Sequence, residues 1–389
     1  MLNLDYPPDR LQLIVCDNGS TDGSVDYVRQ AFPTVKVVAL DHNHGFAEAN
    51  DLAAKEATGD WIGFLNNDMW APRDWLSKLV APIAGRPGIA SVASRIANWD
   101  GSRIDFVGGS GANFQGYGFQ RDVGDSSSRW DREGKVLFAC GGAMLVRREL
   151  FLEIGGFDPE YFIYYEDVDL GWRLNLLGHD VWYTPAASVN HRHHGTTESW
   201  QNHRKQVLYD RNALFTMYKN LDDGNLAIAL PASLLLLNEK ALVAGAVNAS
   251  GYRMGPARPL PYGKPPERSE VPGLLTRAQR ILAREGPAGI VSRATRRLAA
   301  RQGAEQLPTR ALSPLVAISE FAHRLDKLAE RRRWIQERRR RTDLEILPLF
   351  HFALSPSSPE PRYVEFQAWL RRVMGLEERF GPGQDRQEG

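Results

Sequence analysis

Cysteine is almost missing from this chain of 389 residues: Cys16 and Cys140 stand alone, in separate apolar runs. So few thiols exclude a disulfide framework and fit two buried, reduced side chains in a reducing, cytoplasmic setting. Charge of one sign is missing too. The 48 Lys and Arg against 47 Asp and Glu leave a formal net charge of +1, so no global field points to nucleic acid. No uninterrupted apolar stretch reaches the roughly 20 residues that cross a bilayer. The nearest, Leu226 to Val247, is broken by Pro231 and by Asn238-Glu239-Lys240. It is expected to be a helix packed on the domain or lying at a membrane surface. Leu2-Asn3-Leu4-Asp5-Tyr6-Pro7-Pro8 is polar and turn-like, unlike the apolar centre of a secretory leader. No internal repeat is visible. What is present, 43% hydrophobic and 24% charged residues, suits a globular protein of one or two domains.

From residue 11 onward, short apolar runs alternate with helical patterns, which argues for an α/β sheet. Strands are expected at Leu11 to Cys16, Val35 to Leu40, Trp61 to Leu65, Ile89 to Arg95 and Val181 to Thr184. Helices are expected at Ser24 to Phe32, Phe46 to Ala57, Pro72 to Ile83, Arg148 to Ile154 and Gln201 to Tyr218. Residues 97–135 are rich in Gly, Asp and Ser and read as a loop or hairpin insert. The organisation expected is a domain over 1–220, an apolar helix over 221–250 and a Pro/Arg-rich linker over 251–310. A basic amphipathic helix then spans 311–352, ending in Arg331-Arg332-Arg333 and Arg338 to Arg341. Its basic end is either solvated or docked on an anionic membrane surface. The tail, 353–389, is expected to be partly disordered.

The densest chemistry lies in Tyr165-Glu166-Asp167-Val168-Asp169-Leu170-Gly171-Trp172-Arg173, answered by Asn190-His191-Arg192-His193-His194. Carboxylates among Phe162, Tyr164, Tyr165 and Trp172 are costly unless a metal, an Arg or a substrate compensates. An imidazole downstream could supply a metal ligand, while the plain alternative is an acidic helix start stabilised by the helix dipole. Asp17 and Asp68 follow the first and third strands, where ligands bind in open α/β sheets. Asp17-Asn18-Gly19-Ser20-Thr21-Asp22 also reads as a turn leading into a helix.

These segments together resemble the inverting family 2 glycosyltransferases of GT-A fold. Asp17-Asn18-Gly19-Ser20-Thr21-Asp22-Gly23 is similar to their nucleotide-site turn, and Asn43-His44-Gly45-Phe46 with Asn50 to the stretch that closes over the donor. Leu65-Asn66-Asn67-Asp68 matches the metal-binding Asp-x-Asp position, with Asn in the first slot. Gly141-Gly142-Ala143-Met144 and Gly155-Gly156-Phe157-Asp158 resemble the bacterial rhamnosyltransferase-like branch. The acidic run resembles the catalytic motif, and His191 the histidine that completes the metal site.

The resemblance covers about residues 3–220 and implies a GT-A (Rossmann-like), mostly parallel sheet flanked by helices, with a helical C-terminal extension. It implies an in-line displacement at the anomeric carbon, with Asp167 as general base and Mg²⁺ or Mn²⁺ held by Asp68 and His191. The donor, a UDP- or dTDP-sugar, is expected to meet Asp17, Asp22, Asn43, Gly45, Asn66 and Asn67. A glycan or lipid-linked acceptor is expected to meet Glu166, Asp169 and Trp172. Glu166 and Asp169 are equally readable as helix-start support, Trp172 and Trp182 as core, and Arg173 as a structural ion-pair partner. Peripheral contact with the inner face of the cell membrane through the basic helix is a further expectation. Family members begin with a strand and helix ahead of the segment that opens this chain, so Met1 is expected to be an internal start or the chain a fragment. The alternative that follows is a truncated non-catalytic domain or partner module of a larger glycosyltransferase. A sugar nucleotidyltransferase would want a Gly- and Arg-rich phosphate loop near the start, and none is there.

Overall fold

A computed structural model describes residues 1–107, 111–119, 132–192, 201–247 and 308–381. The first third alternates strand and helix: β1 (Ile14–Asp17), α1 (Ser24–Ala31), β2 (Lys36–Ala39), α2 (Gly45–Ala54), β3 (Trp61–Leu65), β4 (Met69–Trp70), α3 (Trp75–Val80) and β5 (Ile89–Asn98). Then come β6 (Ile104–Val107), β7 (Gly134–Val136), β8 (Ala143–Arg147), α4 (Arg148–Glu153), α5 (Glu166–Leu176), β9 (Asp180–His191), α6 (Asn202–Asn220) and α7 (Asp223–Ala244). The C-terminal region supplies α8 (Thr309–Ala322), α9 (Leu325–Arg338), α10 (Asp343–Ile346), α11 (Pro361–Val373) and α12 (Leu376–Phe380).

The α/β class and the flanking helices are as expected, but the sheet is mixed rather than mostly parallel. β1 and β2 pair in parallel as a two-stranded sheet. The larger, seven-stranded sheet runs β3-β8-β5-β9-β4, with β6 beside β5 and β7 beside β9. Within it only β5 and β9 are parallel. Apolar runs mark strands but carry no sign of strand direction, and the short strands β4, β6 and β7 each add an antiparallel ladder. β5 is buried along nearly its whole length, as befits a strand paired on both edges.

β9 is three times the length expected for it. Its sequence pattern stops at Thr184 because Pro185 follows, and proline cannot donate to a ladder. The strand survives by shifting register there, from Ser94 opposite Thr184 to Arg95 opposite Ser188. That irregularity carries the strand on to His191.

The C-terminal expectations need more revision. The helix expected over 311–352 is broken into α8 and α9 at His323-Arg324, with α10 following. The tail expected to be partly disordered contains α11 and α12, and Tyr363, Phe366, Leu370, Leu376 and Phe380 are buried. These side chains share one apolar cluster with Tyr161 and Trp172 beside the acidic motif and Phe215 of α6. Part of the basic stretch faces the domain, while Arg331, Arg333, Arg338 and Arg340 are exposed. Arg332 donates to the carbonyls of Tyr218 and Leu221, Arg339 to Asn220 O and Asp343, and Arg341 to Gly178 O, His179 O and Asp180. α7 is the one helix among the described residues long and apolar enough to cross a membrane, with a mean hydropathy of 1.6. Here it buries Ala229, Ala232, Leu236 and Leu237 in that same cluster. Most of the expected 251–310 linker, like His193 and His194, lies outside the described residues.

Candidate active site

Beyond the ends of β1 and β2, two loops are stitched together by one asparagine. Asn18 donates through Nδ2 to Asn43 Oδ1 (3.1 Å) and Gly45 O (3.0 Å), and its Oδ1 accepts from His44 N (2.8 Å). Asn43 Oδ1 also accepts from Gly45 N at 2.8 Å, so it shapes its own loop. Gly19 has φ +83°, and a Cβ there would lie 2.6 Å from the His42 backbone, so only glycine allows this approach. Asp17, at the end of β1, accepts from Ser20 N (3.0 Å) and closes the turn. Asp22 is exposed and accepts from Ser24 N and Oγ, which hold its pKa below the usual carboxylate range. The sequence contained Asn18 within its motif, but only the loop-to-loop distances give it a task.

A second junction joins this loop to the acidic motif. Gly45 has φ +80°, and a Cβ would fall 2.5 Å from Phe162. Phe162 O accepts from Phe46 N (2.6 Å) and Ala47 N (3.2 Å), the first free amides of α2. Phe162, Tyr164 and Tyr165 all have positive φ, at 64°, 73° and 69°, a strained backbone for bulky side chains. The strain is held by α6. Asn212 Nδ2 lies within hydrogen-bond reach of three carbonyls, those of Tyr161 (3.1 Å), Ile163 (2.9 Å) and Tyr164 (2.7 Å). Arg211 adds bonds to Glu160 O and Tyr161 O. Neither residue was a sequence candidate, because α6 reads as an ordinary helix.

The turn delivers Asp167 half-buried at the start of α5, where Oδ2 accepts from Gly141 N (3.0 Å) and Oδ1 from Val168 N (2.8 Å). Burial pushes its pKa up against the opposing effect of those amides. Glu166 is 5% exposed with Oε2 unpartnered, and burial, reinforced by the Asp167 charge, pushes its pKa well up. Asp169 and Trp172 are not at an acceptor surface. Asp169 is fully buried and bonded to Arg173 Nε (2.8 Å), Lys219 Nζ (3.0 Å) and Asn220 Nδ2 (2.9 Å). Trp172 is 1% exposed and stands edge-on to Phe350 of the C-terminal region, 4.7 Å between ring centroids. α5 is buried along nearly its whole length, with Asp167 the exception, so both side chains lie inside the fold.

Asp68 and His191 are brought together by a ladder. β4 pairs Met69 with His191, and Asp68 O accepts from Arg192 N. Asp68 Oδ2 then lies 3.2 Å from His191 Nε2, and Asp68 Oδ1 is buried without a hydrogen-bond partner. On its other side, His191 Nδ1 is 2.6 Å from Asp105 Oδ2, a residue the sequence reading left inside a loop insert. Burial opposes a charge on His191, yet the bond to Asp105 and the two carboxylate charges raise its pKa. Asn66 N donates to Gly142 O (2.8 Å), and its side chain would touch a Cβ at Gly142; Asn67 is exposed. A separate group, Asp41, His42 and His44, could also surround an ion. Asp41 and His42 are exposed, and both imidazoles already bond to Asp41 Oδ1 (2.8 and 3.0 Å), which accounts for the cluster.

The segments meet at Gly141-Gly142. A Cβ on Gly141 would approach the Phe46 ring (3.1 Å) and Asp167 Cβ (3.5 Å), and one on Gly142 would approach Met69 Cε (2.7 Å) and Asn66 Nδ2 (3.1 Å). The Asn43–Phe46 segment, Asp167 and the Asn66–Met69 segment therefore pack closely against these two glycines.

A sequence model described as glycosyl transferase family 2 matches residues 2–155. The chain is 30% identical over 210 residues to an N-acetylglucosaminyl-diphospho-decaprenol L-rhamnosyltransferase of Mycobacterium tuberculosis, covering 48% of this chain and 68% of that protein. It is 31% identical over 199 residues to the O-antigen biosynthesis protein RfbC of Myxococcus xanthus, covering 48% of this chain but 15% of that one. Among solved structures, the mannosyltransferase PcManGT from Pyrobaculum calidifontis, in complex with GDP-Man and Mn²⁺, superposes with a TM-score of 0.43 at 16% identity, over 82% of this chain and 80% of that one. On the family match and the rhamnosyltransferase identity, the chain belongs to the family 2 glycosyltransferases and is a transferase enzyme.

Proposed function

We propose that this enzyme moves a hexose, with inversion, from a UDP- or dTDP-sugar to a hydroxyl of a glycan or lipid-linked acceptor, with Asp167 as general base. The observation that carries the reading is the convergence on Gly141-Gly142 of the donor loop, the Asp167 carboxylate and the Asn66 to Asp68 segment. Asp167 suits the task because its raised pKa gives it basicity while the Gly141 N–H fixes its direction. It takes the proton of the acceptor hydroxyl as that oxygen bonds to the anomeric carbon, and the bond from that carbon to the nucleoside diphosphate breaks on the opposite face. Asn43 and Gly45 border the donor, with Asn18 holding their loop closed. Asp17 and Asn66 line the strand ends where the nucleotide is expected. Glu166, next to the base in the chain, keeps an unpartnered Oε2 for an acceptor hydroxyl.

The residues present fit a divalent cation. Asp68 offers a buried oxygen with no other partner, and His191 Nε2 converges on the same carboxylate. Mg²⁺ or Mn²⁺ bound there supplies positive charge to the departing diphosphate. The named relatives lead to a polyprenyl-diphosphate-linked sugar as the first acceptor to try and a deoxyhexose as the first sugar. Nucleotide release from a donor panel, with and without such acceptors, tests the reading. Release that Asp167→Asn abolishes in a folded protein supports it, and release indifferent to that change refutes the base assignment.

A further inference from the structure

We infer that Asp105 is a positioning residue for the Asp68–His191 pair: it accepts a hydrogen bond from His191 Nδ1–H and so turns the Nε2 lone pair toward Asp68. The inference rests on the metal reading proposed above and adds the residue that orients it.

The placement is unusual. β6 and β9 lie on opposite edges of β5, since β9 pairs with β5 from Ile89 to Asn98 and leaves the other edge to β8 and β6. Two strand spacings, roughly 9–10 Å, therefore separate the backbones that carry Asp105 and His191. On β6, Phe106 faces Ile96 while Ile104 faces Ala97, so Asp105 is the extra residue of a β-bulge. Bulges re-aim a side chain out of the regular pleat. Here the result is a carboxylate, 7% exposed, with Oδ2 2.6 Å from His191 Nδ1.

The two imidazole nitrogens point away from each other, so the Asp105 oxygen on Nδ1 cannot share an ion that Nε2 meets. A carboxylate accepts and does not donate, so this contact requires Nδ1 to carry hydrogen. In the neutral ring Nε2 then carries the lone pair, on the side of Asp68. A carboxylate behind a metal-binding histidine also raises ring basicity, and losing such a partner typically weakens metal affinity about 10–100-fold. Sequence patterning could not expose this, because a bulged residue in a Gly- and Ser-rich stretch carries no periodic signal.

The test uses the full chain. Mn²⁺ is titrated into wild type, Asp105→Ala, Asp105→Asn and Asp68→Asn, with and without UDP or dTDP, and free Mn²⁺ is read by electron paramagnetic resonance. Thermal melts report folding, and imidazole ¹⁵N spectra of metal-free protein at alkaline pH report the His191 tautomer, assigned with His191→Asn. Expected are the Nδ1–H tautomer in wild type, loss of that preference in Asp105→Ala, and Mn²⁺ affinity lower by about 10–100-fold. Asp105→Asn, which keeps an acceptor oxygen without the charge, should hold the tautomer and fall between. Should Asp105→Ala fail to fold, wild-type Mn²⁺ affinity in Asp105→Asn overturns the inference. Folded variants with wild-type affinity and tautomer overturn it as well, while leaving the metal reading standing. A wild-type chain that takes up no Mn²⁺ in any of these conditions removes the metal reading itself.

Discussion

At the start of α5, Asp167 spends one carboxylate oxygen on Gly141 N–H and the other on Val168 N–H, in surroundings that burial makes hostile to charge. In the proposed role of general base it must be ionised to work. Because its pKa is raised, the rate is expected to fall as pH drops through a value above the ordinary aspartate range near 3.9. The check is a pH profile of kcat/KM, whose acid limb should lie above that range. Asp167→Asn should lower turnover by about 10²–10⁴-fold with little change in melting temperature. The residues legible in the sequence were those whose chemistry is local: Asp17 ends β1, Asp68 lies in the turn between β3 and β4, and Asp167 stands in the first turn of a helix inside a recognisable acidic run. Asp169 and Trp172 share that run, but α5 is buried on nearly every side, which motif similarity does not reveal. Asp105, Asn212 and Lys219 were invisible because their partners lie 48 to 86 residues away in sequence.

Elements bring these side chains into register. The strained turn at 162–165 ties α2 to α5, and α6 holds it through the Asn212 amide. Asn212→Ala removes the donor from buried carbonyls and should cost roughly 1–3 kcal/mol of stability. It should also lower kcat more than it raises the donor KM, because the base loses its direction while the donor loop keeps Asn18. Urea titration and steady-state kinetics on one preparation check both. Nearby, Asp51 of α2 accepts from Phe157 N (2.9 Å), and burial, outweighing that bond and the Arg173 charge, pushes its pKa up to about 7. The folded chain thus keeps a proton that the unfolded chain sheds near 3.9. The corresponding stability is full below that value and is lost as pH rises through about 7. Asp51→Asn should therefore stabilise the protein at pH values above 7, by roughly 1–3 kcal/mol, and change little in acid. Denaturant midpoints across that range decide it.

In the whole molecule, the C-terminal helices close the core on which α5 and α6 rest. Phe350 meets Trp172, Phe380 meets Phe114, and Arg341 binds the Gly178–Asp180 segment before β9. Composition pointed the other way, since Pro-rich and charged stretches resemble a tail; the spaced aromatics Tyr363, Phe366 and Phe380 were the signal that mattered. Phe380→Ala should cost about 3–5 kcal/mol and shift the unfolding of the catalytic region with it, as one transition by tryptophan fluorescence and circular dichroism. The central claim, though, is catalytic. Its most direct test is nucleotide release from UDP- and dTDP-hexoses, with Mn²⁺ and a polyprenyl-diphosphate-linked sugar, by wild type and Asp167→Asn. The account predicts acceptor-dependent release by wild type that the variant loses by about 10²–10⁴-fold. Equal release by both proteins, or none from any donor by folded wild type, would contradict it.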